Sequence, residues 1–188
     1  MKDINIKKIT AREAFSDSGF PAVEVRVLLN SGERAISNIT ESFSTSSFKP
    51  KYLYDNDNLF QGLGVKKAVE VINSIIAPEI EGLPANNQAI VDETIKKVMQ
   101  KNNIEDFVNV SSPVSVAVLK AAATAMDRPM YRYIGGQSAF TLPVGGYTCA
   151  SGSKRYKSDV RAQGKPDYLF VAYDFDSYSD AHHALWQT

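Results

Sequence analysis

Ser44 and Thr45 lie in the hydroxyl-rich run Thr40-Glu-Ser-Phe-Ser-Thr-Ser-Ser-Phe-Lys-Pro-Lys51. Their oxygens could meet a phosphate or a divalent metal, although the commoner fate of such hydroxyls is hydration in a loop. Lys154, Arg155 and Lys157 flank Tyr156, a pattern that suits phosphate contact combined with stacking. In a charge-balanced chain the commoner role of such a run is a solvated loop. Asp167, at the start of an apolar segment, could be a general acid, but a carboxylate there more often caps a turn. His182 and His183 are adjacent, so on a helix they point about 100° apart and do not readily share one ion. Zinc pairs favour i, i+4 spacing, which leaves these two as expected members of a frayed C-terminus. Cys149 has no histidine near it and is expected to be a small core residue. Gly145-Gly146 is not a dinucleotide fingerprint, because no Gly-x-Gly-x-x-Gly follows a strand.

Composition bounds what could position these groups. The 188 residues are 44% hydrophobic, enough for one ordinary domain with a core, or a domain with an appended fragment. Lys plus Arg equals Asp plus Glu at 21 each, so no net field points to nucleic acid or an anionic membrane as partner. One cysteine makes no internal disulfide. With no signal-peptide core at the N-terminus and no apolar run of bilayer-spanning length, a soluble cytoplasmic protein is the expectation.

The elements follow from periodicity. Ile4, Ile6 and Ile9 lead to a turn at Asp17-Ser-Gly-Phe-Pro21; Val23, Val25 and Val27 alternate with Glu24 and Arg26; Asn30-Ser-Gly32 turns the chain into a returning strand over 33–39. Short connections make this a three-stranded antiparallel meander. Residues 40–58 have no clean period and read as a long, mobile surface loop. Val65, Ala68, Val69, Ile72, Ile75 and Ile76 form one helical stripe that Pro78 should stop, and Ile90, Val91, Ile95, Val98 and Met99 form a second. Pro113 to Met126 is apolar nearly all round and is expected to be the central helix; Arg128 to Ile134 is a short helix ending at Gly135-Gly136. Thr141 to Tyr147 could be a strand, 156–164 is a polar loop, Tyr168 to Tyr173 reads as a buried strand, and Asp176 to Asp180 begins a helix. A strand and the first turns of a helix start an α/β unit that has no sheet of its own to join. The fold class expected is therefore α+β: a three-stranded antiparallel meander followed by a helical bundle over 1–138, with a truncated β/α C-terminal extension over 139–188.

These stretches resemble the enolase (phosphopyruvate hydratase) family. Ile9-Thr-Ala-Arg-Glu-Ala14, Asp17-Ser-Gly-Phe-Pro-Ala-Val-Glu-Val25, Gly62-Leu-Gly-Val-Lys-Lys-Ala-Val-Glu-Val-Ile-Asn73 and Arg128-Pro-Met-Tyr-Arg-Tyr-Ile134 are similar in order and spacing to its N-terminal capping domain. Leu142-Pro-Val144 resembles the lead into the first barrel strand, and Asp167-Tyr-Leu-Phe-Val171 with Ser177-Tyr-Ser-Asp-Ala181 the second strand and its helix. The resemblance implies a family that dehydrates 2-phosphoglycerate to phosphoenolpyruvate in glycolysis, using two Mg2+ ions and a barrel lysine as base. It also implies that the metal carboxylates and the base lie on barrel strands later than any in this chain, so no cofactor is expected for this chain alone.

By the same resemblance, Ser44 matches a lid serine that reaches magnesium, and Thr45 its neighbour. Both lid glycines are replaced and Phe43 intrudes, which hinders close backbone approach. Lys154 stands where a second lid carries histidine, and Asp167 where the second barrel strand opens with glutamate. The arginine of the family's first turn is missing, leaving Ser18-Gly19. A retained scaffold with an altered site is the pattern of a pseudoenzyme. Three functions are expected in order. The first is a non-catalytic enolase-like protein acting as a homo-oligomer or with a protein partner, with Tyr168, Phe170, Tyr173, Phe175, Tyr178 and Trp186 forming the interface where the core does not take them. The second is the N-terminal part of a phosphopyruvate hydratase whose barrel another chain supplies. The third is a binding module that captures a phosphorylated metabolite at Lys154.

Overall fold

A computed structural model describes residues 2–17, 19–39, 50–150 and 168–188. They form two compact units, one from residues 2–39 and 50–134, the other from 135–150 and 168–188.

The first unit opens with the expected antiparallel meander, β1 (Ile6–Phe15), β2 (Pro21–Leu29) and β3 (Arg34–Ile39), in that spatial order. The alternation in β2 decides which face is buried. Val27 pairs with Ile9 and Val25 with Ala11, and these side chains point into the core. On the other face Arg12 sits opposite Glu24. Gly32, at φ 99°, supplies the left-handed residue that the β2–β3 turn requires.

The first helix does not end at Pro78. It runs as α1 (Lys66–Val71), a π-helical segment (Ile72–Ile76) and α2 (Ala77–Ile80), with Pro78 in the first turn of α2. A proline ring inside a regular helix collides with the carbonyl four residues back; the wider π turn just before it is where such a collision is relieved. Then α3 (Gln88–Lys101) buries Val91, Ile95, Val98 and Met99, as the spacing predicts, but leaves Ile90 41% exposed.

The central helix α4 (Val108–Ala125) starts five residues earlier than the sequence suggests, because Pro113 lies inside it rather than at its start. At 18 residues it is long and apolar enough to cross a bilayer by length and composition, although no apolar run was expected to reach that length; 56% of it is buried inside the protein. Its Ala117, Ala121 and Ala122 have no accessible surface and let the sheet approach closely. A short α5 (Met130–Gly135) is followed by Gly136 in the left-handed region, φ 71°.

Side chains occupy the backbone positions along the edge of β1. Asn73, on the π segment, accepts the Ala11 N–H at 2.7 Å and donates to the Ala11 carbonyl at 3.0 Å, as a paired strand would. Glu81 accepts the Ile9 N–H at 2.9 Å. At β3 the Lys120 ammonium donates to the Ile36 carbonyl at 3.2 Å. Covering an edge in this way removes a template for unwanted strand addition.

The second unit holds β4 (Gly146–Ala150) and β5 (Tyr168–Val171), an antiparallel pair, with α6 (Tyr178–Gln187). Two expectations are corrected. The first strand lies at 146–150 rather than 141–147, and β5 is exposed along its whole length, not buried. An apolar strand is buried only when layers cover both faces, and a two-stranded ladder in this unit does not supply them.

Candidate functional site

The four residues that carry the expected chemistry, Ser44, Thr45, Lys154 and Asp167, all lie outside the described residues, as do Phe43, Arg155, Tyr156, Lys157 and Ser18. The structure does describe the chain from which they extend. On the near side of the first segment, β3 ends at Ile39, paired with Val23. On its far side, residues 51–55 are not the free loop expected of them. Lys51 makes a parallel bridge with Phe107, and the buried Asn109 side chain accepts the Leu53 N–H and donates to the Leu53 carbonyl, both at 2.9 Å. The sequence did contain a signal for this clamp: an amide on the apolar face of a core helix must find partners.

Asp55 is the second anchor. It is 9% exposed and accepts the N–H groups of Lys66 and Lys67 at 3.0 and 2.9 Å, at the start of α1. Negative charge there satisfies free donors and opposes the helix dipole. Gly64 is required beside it, since a Cβ at that position would lie 2.4 Å from Asp55 Oδ2. Glu13 on β1 accepts the Val65 N–H at 2.9 Å, tying the same helix start to the sheet.

In the second unit, Ala150 stands opposite Tyr168 at the end of the ladder. The histidines depart from expectation. His182 lies within α6, where its ring hydrogen-bonds the Tyr147 hydroxyl and stacks at 6.1 Å on Tyr178. His183 stacks on Trp186 at 6.2 Å. Cys149 is exposed, not a core residue; on a strand with no layer over it there is no interior to enter, and its thiol donates to the Tyr168 carbonyl at 3.4 Å. The aromatic residues Tyr168, Phe170, Tyr173, Phe175, Tyr178 and Trp186 are all exposed, Trp186 at 79%.

Electrostatics on the first unit are local. Arg12 grips Glu24 through two hydrogen bonds of 2.7 and 3.0 Å, and Arg26 adds a third at 2.8 Å. The Arg12 hydrogen bond lowers the Glu24 carboxyl below its usual range against the opposing effect of burial. Magnesium seeks several carboxylate and carbonyl oxygens around one point. Among the described residues no three His, Cys, Asp or Glu side chains converge in that way. The described donor set therefore does not fit a magnesium centre.

Comparison with known proteins decides what this scaffold is. Residues 6–134 match the family described as "Enolase, N-terminal domain". The chain belongs to the enolase family. It is 33% identical over 183 residues to the enolase of Ehrlichia canis (strain Jake), covering 96% of this chain and 43% of that protein. It is 34% identical over 177 residues to the enolase of Campylobacter jejuni (serotype O:23/36, strain 81-176), covering 94% of this chain and 42% of that one. For the enolase of Methanopyrus kandleri the identity is 34% over 184 residues, 97% of this chain and 42% of the relative. The chain thus spans 42–43% of the length of the curated enolases it matches. Its meander and helices are the enolase N-terminal domain, and a small second sheet follows in the C-terminal part.

Proposed function

We propose that this chain alone does not catalyse and that it acts by association, through the exposed apolar side chains of β4, β5 and α6. In this reading residues 1–138 are the capping domain and 139–188 the start of a β/α barrel. The observation that carries it is the exposed β4–β5 ladder. Leu169 is 57% exposed and Val171 49%, on a two-stranded sheet that by itself has marginal stability in water. A surface of that kind is stabilised when further β/α structure covers it. The partner is a β/α polypeptide or a second copy of this chain. The loss of both lid glycines around Ser44 and Thr45, the intruding Phe43 and the replacements at Lys154 and Asp167, read through the family resemblance, support the non-catalytic half of the proposal.

A second reading is favoured by the relatives themselves, which are named enolases and are more than twice as long over the same alignment. On that reading the chain is the capping part of a phosphopyruvate hydratase that dehydrates 2-phosphoglycerate with Mg2+ when a barrel is supplied. One experiment separates the two. The chain is run in sedimentation velocity alone and with the remaining, barrel-bearing part of the Ehrlichia canis enolase, and phosphoenolpyruvate is followed by ultraviolet absorbance. Association without turnover, abolished by Leu169→Lys, is the expected result. Turnover restored by the added barrel establishes the second reading, and turnover by the chain alone overturns the first. A chain that stays monomeric at every concentration and ignores the barrel removes the association claim.

A further inference from the structure

Away from the family's site, α3 and α4 enclose a cleft of about 440 Å³, within the range of small-molecule sites. Its floor is apolar: Ile95 and Met99 from α3, 3% and 4% exposed, with Ile104 and Val116 beside them. Its two carboxylates stand at different points along the groove. Asp92 Oδ1 accepts the Gln88 side-chain N–H at 3.0 Å, and the same amide donates to Ser115 Oγ at 2.9 Å, which places Asp92 at the Ser115 end. Asp106 Oδ1 accepts the Ser111 hydroxyl at 3.4 Å, which places it at the Ser111 end. Ser111 and Ser115 are one turn apart on α4, about 6 Å along the axis.

An apolar trough with a negative group towards each end fits a linear aliphatic molecule carrying a cation at both ends. We propose that the α3–α4 cleft binds a short aliphatic diamine, its methylenes over Ile95 and Met99 and its ammonium groups at Asp92 and Asp106. Among the described residues, Lys96 on the wall of the same cleft is the one lining cation, and its charge opposes this ligand. That opposition makes the proposal directional. Removing Lys96 strengthens binding of a diamine and weakens binding of any anion or amino-acid zwitterion that used Lys96 as its anchor.

The test is isothermal titration calorimetry of the full chain with 1,5-diaminopentane and with 1-aminopentane at low salt. The fold of every variant is checked by circular dichroism. The expected result is saturable diamine binding, roughly tenfold weaker for the monoamine, in line with the loss of one charge-assisted hydrogen bond. Asp92→Asn and Asp106→Asn each weaken it to the same degree, and Lys96→Gln tightens it. No saturable binding, equal affinity for the monoamine, insensitivity to both asparagine variants, or weakening by Lys96→Gln overturns the proposal. Both aspartates are exposed, so loss of fold does not confuse the readout.

Discussion

Two asparagines, Asn73 and Asn109, do the same work in different places, each presenting an acceptor and a donor to one residue of extended backbone. Only a side chain with both functions completes the pair, so alanine leaves an N–H and a carbonyl without partners. Asn73→Ala and Asn109→Ala are each expected to lower stability by about 1–3 kcal/mol, read from urea unfolding midpoints. The sequence signals that the Asn109 amide needs partners, but not which ones, because the partner lies 62 residues away for Asn73 and 56 for Asn109. Glu33 gives a pH signature. Hydrogen bonding, including that of the Lys2 ammonium at 2.9 Å, holds its carboxyl down to about 2 from an ordinary 4.5. A carboxyl lowered on folding contributes stability that is complete above about 4.5 and disappears as the pH falls towards 2. The melting temperature of Glu33→Gln should therefore fall less steeply than that of the parent between those limits. Parallel curves would remove Glu33 from the acid response.

Among the elements, what the sequence made plain was whatever local periodicity controls. The strands of the meander, the stripe of α3 and the stop at Gly136 follow from alternation, 3.6-residue spacing and a left-handed glycine. Prolines misled twice in the same way. Pro78 and Pro113 both read as boundaries, yet both lie within helical structure: Pro78 in the first turn of α2 behind the widened π turn, where proline is tolerated, and Pro113 inside α4. Burial of β5 was misread for a different reason: Tyr168 to Val171 has the composition of a covered strand, and composition does not say whether the cover is present. At α6 the cap is legible and testable. Ser177 accepts the Asp180 N–H at 3.1 Å, so Ser177→Ala should cost about 1 kcal/mol. The readout is faster hydrogen exchange across α6, with the meander unchanged. At α1 the close approach of Gly64 to Asp55 predicts that Gly64→Ala displaces the carboxylate from its two amides, with a loss of about 1–3 kcal/mol in unfolding free energy.

For the molecule as a whole, the contrast between the two units is the feature to measure. The first buries Val23, Val25 and Leu29 of β2 completely, whereas every residue of β4 and β5 is exposed. Native-state hydrogen exchange should therefore find the β2 amides among the slowest and the β4–β5 amides among the fastest; equal protection would mean that the second unit is covered in solution. Of the candidate site, the sequence revealed residue types through family likeness, and the described structure holds the anchors on either side of them rather than the residues themselves. The latch on β1 carries a consequence over a protein's lifetime. Hydrolysis of the Asn73 amide to an acid would turn a carboxylate oxygen towards the Ala11 carbonyl, so ageing chemistry at one surface-facing group would loosen the helix from the sheet and shorten the useful life of the entire cap.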